Sequence, residues 1–428
     1  MEHEQIKATV SSSSASVLLQ TALKAVFILP FLTTPALAEI YSSTACKADS
    51  YQAKQIESEI VVPFRSSPPP GLIAFDAYIN GQGPFNLILD SGATINFISE
   101  RVAQKLRLPT RSLMRPEFIG SNGSSPVQTS QETTVENLEI GNLKLSKTIL
   151  RVLPSAVMPD SSALSKIDAI LGLDFFQNFL IQLDYINLKA YFNNSQKVAP
   201  NCENVVFPFV VSSLGMPAIE GKIDGISARF DIDTGSSTSL TLYQPFVERN
   251  NLYRRYPNIR KYSTEGLGGT DVLYRVRATA LKLGQFEIIK PLIGLISKSS
   301  KSTEVTDTAG VIGNDILSRF FVIFDVRHRQ IALRKSVRFG EAFHYVAVGM
   351  SVDISSGKVT AIERKGLAEH ADIRSGDQIL NIDGVPYGKL THKEIVDKLQ
   401  QLPNNKVHLI VKRRNKLLNI ILEFKDVL

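Results

Sequence analysis

Short alternating runs fill most of the chain from about residue 60 to 340. Segments such as "LIAFDAYI" (72–79) and "RVRATALKL" (275–283) repeat apolar residues at the period of a half-buried strand, with Gly, Asn and Pro in the gaps. Two runs end unusually. "FNLILDSGAT" (85–94) and "ARFDIDTGSS" (228–237) each pass from large apolar residues straight into Asp-Ser/Thr-Gly. From residue 358 the pattern changes: residues 358–384 read as strand, short helix, turn, strand and turn. "THKEIVDKLQQL" (391–402) is an amphipathic helix with Ile395, Val396, Leu399 and Leu402 apolar. "KVHLIVKR" and "KLLNIILEF" then close the chain as two strands.

The first two-thirds is a repeat. Shifted by 143 residues, Asp90 falls on Asp233 and Gly141 on Gly284. Shifted by 141, "AILGLDFFQNFLIQLD" (169–184) falls on "GVIGNDILSRFFVIFD" (310–325), so that Gly172 meets Gly313, Phe179 meets Phe320 and Asp184 meets Asp325. The fold class expected is mainly β: two similar lobes at 59–195 and 205–335, then a small α+β domain at 341–428. "RSSPPPG" (65–71) cannot continue a sheet and marks a loop, while "NNSQKVAPNCEN" (193–204) links the lobes. Asp174, Asp184, Asp315 and Asp325 are assigned to turns or caps.

Two carboxylates at equivalent points of two similar lobes can face each other across a pseudo-twofold axis. At close range they do not both ionise, so one holds a proton and the other does not. Such a pair supplies a general base for a water and a general acid for a carbonyl, with neither a covalent intermediate nor a metal. Gly92 and Gly235 permit tight turns and close approach of backbone N–H groups, and the Ser91 and Thr234 hydroxyls can bond across to the opposing loop. Ser236 follows Gly235 where Ala93 follows Gly92. That difference predicts a hydroxyl on Asp233 that favours its anion, leaving Asp90 as proton holder, although the protons belong to the coupled pair.

These turns resemble those of pepsin/retropepsin-like aspartic proteases with both lobes in one chain. The resemblance implies two β-barrel lobes, a catalytic Asp90/Asp233 dyad supported by Ser91, Gly92, Ala93, Thr234, Gly235 and Ser236, and a polypeptide substrate. It also implies a ψ-loop in each lobe, at Ile170-Leu171-Gly172 and Val311-Ile312-Gly313. Glycine-rich flap hairpins are expected at 119–126, with Gly120 and Gly123, and at 265–271, with Gly266, Gly268 and Gly269. With both aspartates on one chain, a monomer suffices for catalysis.

"GLAEHADIRSGDQILNIDG" (366–384) is similar to the PDZ family. That resemblance implies a groove that takes a peptide ligand as an added strand, with Gly349, Met350, Ser351 and Val352 as carboxylate loop and groove strand. His392, opening the facing helix, is read either as a ligand contact or as a solvated cap.

Composition adds bounds. The net charge of +7 is modest for 428 residues, and Lys412-Arg413-Arg414 lies in an alternating strand without aromatic interleaving, so no nucleic-acid partner is expected. Residues 1–38, with Lys7, Lys24, the apolar Ala25–Leu32 and "TPALA", read as a secretory signal, which places the protein in the periplasm or outside the cell. No later segment is apolar enough to span a membrane, and 39–58 is a linker, with 39–64 open to use as a leader or a first strand. Cys46 and Cys202 allow one disulfide after export. No G-x-S-x-G or H-E-x-x-H occurs and the six histidines lack ligand spacing, so neither metal nor cofactor is expected. The function expected is an exported aspartic endopeptidase whose PDZ domain recruits substrate or regulates access. The alternative is a non-catalytic peptide-binding protein that keeps the lobes as a scaffold.

Overall fold

A computed structural model describes residues 59–426 apart from 67–70, 119–127, 158–165, 195–202, 257, 268, 298–306, 346–347, 364–365 and 400–402. The expected signal segment, the linker to residue 58, Cys46, Cys202, Gly120, Gly123 and Gly268 therefore lie outside the described residues.

The described chain is mainly β. The first lobe carries a seven-stranded sheet and the second a ten-stranded one. Strand Ala74–Ile79 shows why alternation is decisive: Phe75, Ala77 and Ile79 are buried while Asp76 and Tyr78 are exposed. The repeat has a structural counterpart, because Gly141 and Gly284 occupy the turns of equivalent hairpins, Ile140 facing Leu143 and Leu283 facing Phe286.

A six-stranded sheet joins the lobes. Its order is Ile60–Pro63, Lys189–Asn193, Leu180–Asp184, Phe320–Asp325, Gln330–Lys335, Val205–Pro208, so each lobe supplies three strands. The central pair is antiparallel, Ile181 facing Phe324 and Leu183 facing Val322. One apolar core runs on from Val62 through both lobes to Phe343, and the Phe176 and Phe324 rings meet edge-on at 5.1 Å within it. Asp184 and Asp325 close equivalent turns, Asp184 accepting from Ile186 N at 2.9 Å and Asp325 from His328 N at 3.3 Å.

The C-terminal domain has its own core, including Val359, Ile379, Leu409 and Leu422. Its sheet begins at strand Met350–Asp353, which pairs only on one side with Lys358–Ile362 among the described residues. Segment 341–345 belongs physically to the second lobe: Phe343 is buried with the Arg319 guanidinium 3.5 Å above its ring.

Candidate active site

Each aspartate is delivered by a strand buried on both faces. Leu87, Ile88 and Leu89 lead to Asp90; Phe230, Asp231 and Ile232 lead to Asp233. Burial on both faces demands cover, and each strand finds it in a parallel neighbour from later in its own lobe. Leu87, Ile88 and Leu89 lie beside Ala169, Ile170 and Leu171; Phe230, Asp231 and Ile232 lie beside Gly310, Val311 and Ile312. Asp90 N donates to Leu171 O at 2.9 Å and Asp233 N to Ile312 O at 3.0 Å. The glycines that follow permit this packing, since a Cβ on Gly172 would lie 2.4 Å from Ile95 O and one on Gly313 2.4 Å from Thr238 O.

The two turns interlock by reciprocal bonds. Ser91 N donates to Thr234 Oγ1 at 2.9 Å and Thr234 N to Ser91 Oγ at 3.0 Å. Each hydroxyl donates onward to the strand leading into the opposite turn, Ser91 to Ile232 O at 2.8 Å and Thr234 to Leu89 O at 2.9 Å. Both side chains are fully buried, so every one of these bonds has its full value. A Cβ on Gly92 would meet Asp233 Oδ1 at 2.6 Å, and one on Gly235 would meet Asp90 Cγ at 2.3 Å. Each turn thus ends against the other's carboxylate.

Asp90 and Asp233 are half-buried and share a hydrogen bond. Burial raises both pKa values; Asp233 rises further because the Asp90 charge and the shared bond favour its neutral form, and Asp231 adds negative charge nearby. Asp90 accepts from Gly92 N at 2.8 Å and Ala93 N at 3.2 Å, whereas Asp233 accepts from Gly235 N at 2.7 Å. Asp90 thus has the larger set of backbone donors, which favours its anion, while the proton belongs to the coupled pair. The Ser236 hydroxyl, expected on Asp233, bonds Thr238 Oγ1 instead at 2.8 Å.

Residues 75–175 match the aspartyl protease family model and residues 358–413 match that of the PDZ domain. The chain joins an aspartyl protease domain to a PDZ domain. No curated protein matches it. Among solved structures, an aspartic proteinase from Irpex lacteus is 13% identical, with 67% of this chain and 99% of that one covered at a TM-score of 0.44. Basic 7S globulin from soybean is 10% identical, with 67% and 97% covered at a TM-score of 0.40.

The protease lobes contain one supporting residue that sequence reasoning missed. Asn314, fully buried after Gly313, donates to Thr234 O at 2.8 Å and Gly71 O at 3.0 Å and accepts from Tyr185 OH at 2.8 Å. It ties the second turn to the first lobe. Its signal was available: the repeat places Leu173 at the equivalent point, and a polar residue replacing an apolar one in a core segment needs partners. Asn314→Leu leaves those groups unpaired, and the Tm should fall by about 5 °C or more in a thermal melt, with proteolytic activity reduced.

Of the expected flaps, the second is a hairpin of Arg260–Gly266 and Gly269–Arg277, with Gly266 facing Gly269 at its tip. In the first, strands Thr110–Phe118 and Gln128–Ile140 pair as arms of a hairpin whose tip lies outside the described residues. Tyr262 and Arg275 stack in the second hairpin, guanidinium to ring 4.0 Å, and Tyr345 covers the same guanidinium at 4.9 Å. In the PDZ domain, Gly349 precedes the edge strand that holds Met350, Ser351 and Val352; Met350 and Val352 are half-buried and Ser351 is exposed. His392 opens helix His392–Leu399, which buries Ile395 and Leu399; the His392 side chain lies outside the described residues.

Proposed function

We propose that this chain is an exported aspartic endopeptidase in which Asp90 and Asp233 activate a water for attack on a peptide bond. The observation that carries the reading is the reciprocal Ser91–Thr234 lock, which holds two half-buried carboxyls in hydrogen-bonding contact. Asp90, the anion, takes a proton from the water as it attacks; Asp233 gives its proton to the substrate carbonyl oxygen. The tetrahedral intermediate collapses as a proton passes to the amide nitrogen and the C–N bond breaks. The lock prevents either carboxyl from turning away, so both act on one substrate carbon. Residues 1–38 serve as the export signal in this reading, and the mature chain works as a monomer.

The PDZ domain is proposed to take a peptide on the open edge of strand Met350–Asp353 and so to recruit substrate or set access. Its link to the protease is physical. Arg277, ending the second-lobe flap strand, holds both Asp426 oxygens at 2.8 Å and donates to Phe343 O at 2.9 Å. Arg277→Ala should leave both domains folded while added trypsin cuts between them about threefold faster. An unchanged cutting rate means that the clasp does not restrain the PDZ domain.

The test of function is hydrolysis of an unfolded, mixed-sequence protein by the mature chain, with and without a pepstatin-type inhibitor. Cleavage that the inhibitor stops supports the enzyme. A folded chain that cuts nothing yet binds peptides through the PDZ groove supports the scaffold reading instead.

A further inference from the structure

Asp231 lies two residues before Asp233, fully buried between Phe230 and Ile232 at the buried end of strand Ile226–Ile232. The repeat puts Ile88 at this point of the first lobe, so the carboxyl breaks the symmetry of the two halves. Packing alone would favour an apolar residue there, as the first lobe shows.

The surroundings of Asp231 come from four segments. Its strand neighbours are Ala218 on one side and Val311 on the other. Tyr243 OH donates to Oδ2 at 2.9 Å, and Thr308 Oγ1 donates to the same oxygen at 2.8 Å. Ser212 lies close, yet Ser212 Oγ and Asp231 Oδ1 are both buried without a hydrogen-bond partner. Asp307 adds a further negative charge; donors from Ser213 outweigh its own burial and, helped by Arg229, keep it ionised. Tyr243, bonded to Asp231, also feels the charge of Asp233.

We propose that Asp231 is a positioning residue for the catalytic proton, its charge holding that proton on the Asp90–Asp233 pair into less acidic solution. The proposal rests on the catalytic reading of the pair. Burial, partly offset by the Thr308 and Tyr243 hydroxyls, pushes the Asp231 carboxyl up to about 6. Below that pH Asp231 is neutral and has little effect on Asp233. Above it the new anion opposes a second anion at Asp233, so the pair keeps its single proton and its acid–base asymmetry. The first lobe, with Ile88, offers Asp90 no such charge, in keeping with a proton held on Asp233.

The test is the pH dependence of kcat/KM from about pH 3 to about pH 8 for wild type, Asp231→Asn and Thr308→Val, with the Asp233 carboxyl followed in parallel by NMR of the 13C-aspartate-labelled chain. Asn is isosteric, so the Tyr243 and Thr308 bonds keep an acceptor. The expected result is an alkaline limb moved down by about one pH unit in Asp231→Asn, with activity in acid within about twofold of wild type. Thr308→Val, which keeps the carboxyl but weakens its anion, moves the limb the same way by less. An unmoved limb, or an equal loss at every pH, overturns the proposal and leaves Asp231 as packing. If Asp231→Asn does not fold, Thr308→Val decides by the same criterion. If wild type cuts nothing, the catalytic reading fails, while the NMR titration still decides the coupling: an Asp233 pKa unchanged by either variant overturns it.

Discussion

Asp90→Asn and Asp233→Asn each lower cleavage of an unfolded protein at mildly acid pH by about a thousandfold or more, without unfolding the chain. The reason is division of labour. Asn at 90 still accepts from Gly92 N–H, which holds it at 2.8 Å in the aspartate, but it cannot take a proton from water. Asn at 233 still accepts from Gly235 N–H, yet its amide has no acidic proton to give a carbonyl oxygen. The double variant should be no worse than the single ones, because two groups that act as one unit are lost once. Stability should move the other way. Burial raises both carboxyls and the pair resists double ionisation, so replacing one acid removes that conflict near neutral pH. A melting temperature at or above wild type, together with lost turnover, is the expected pair of results. An Asn variant with unreduced turnover would remove that residue from the mechanism.

Thr234→Val is the second large effect, and it acts on geometry rather than on protons. Val matches Thr in shape but leaves the buried Ser91 N–H without its acceptor at 2.9 Å and Leu89 O without its donor at 2.9 Å. Two unpaired buried backbone groups cost about 2–5 kcal/mol, which in a domain of this size lowers the Tm by about 5–15 °C. Turnover should fall about tenfold or more even where the protein is fully folded, since the carboxyls are no longer held in register. Thr234→Ser keeps the hydroxyl and should restore most of both losses. If Val and Ser behave alike, the hydroxyl is not what locks the turns.

Much of this was legible in the sequence because it is local or repeated. Period-two alternation gave the strands, as in Ala74–Ile79, where burial follows the pattern residue by residue. The repeat showed that Asp90 and Asp233, and likewise Gly141 and Gly284, are equivalent positions, because a duplicated unit carries its turn chemistry with it. The motif "GLAEHADIRSGDQILNIDG" marked a separate PDZ domain, in a region that now shows its own core.

What the sequence left open depends on which groups meet across space. Ser236 sits beside Gly235 in the chain, and nearness in sequence suggested a bond to Asp233. Its hydroxyl instead finds Thr238, while Asn314, just after Gly313, donates its N–H to Ser236 O at 2.8 Å and fixes that turn. Asn314 itself bonds Gly71, 243 residues away, a pairing no local pattern encodes. The clasp of Arg277 on Asp426 joins groups 149 residues apart and reads in sequence as two unrelated surface charges. The sequence by itself determined the strands, the doubled turn and the domain order, since these follow from short-range periodicity and duplication. Only the tertiary structure decided which groups surround each carboxyl and what locks the pair in place, because burial, charge and hydrogen bonding act through distance in space, not separation along the chain.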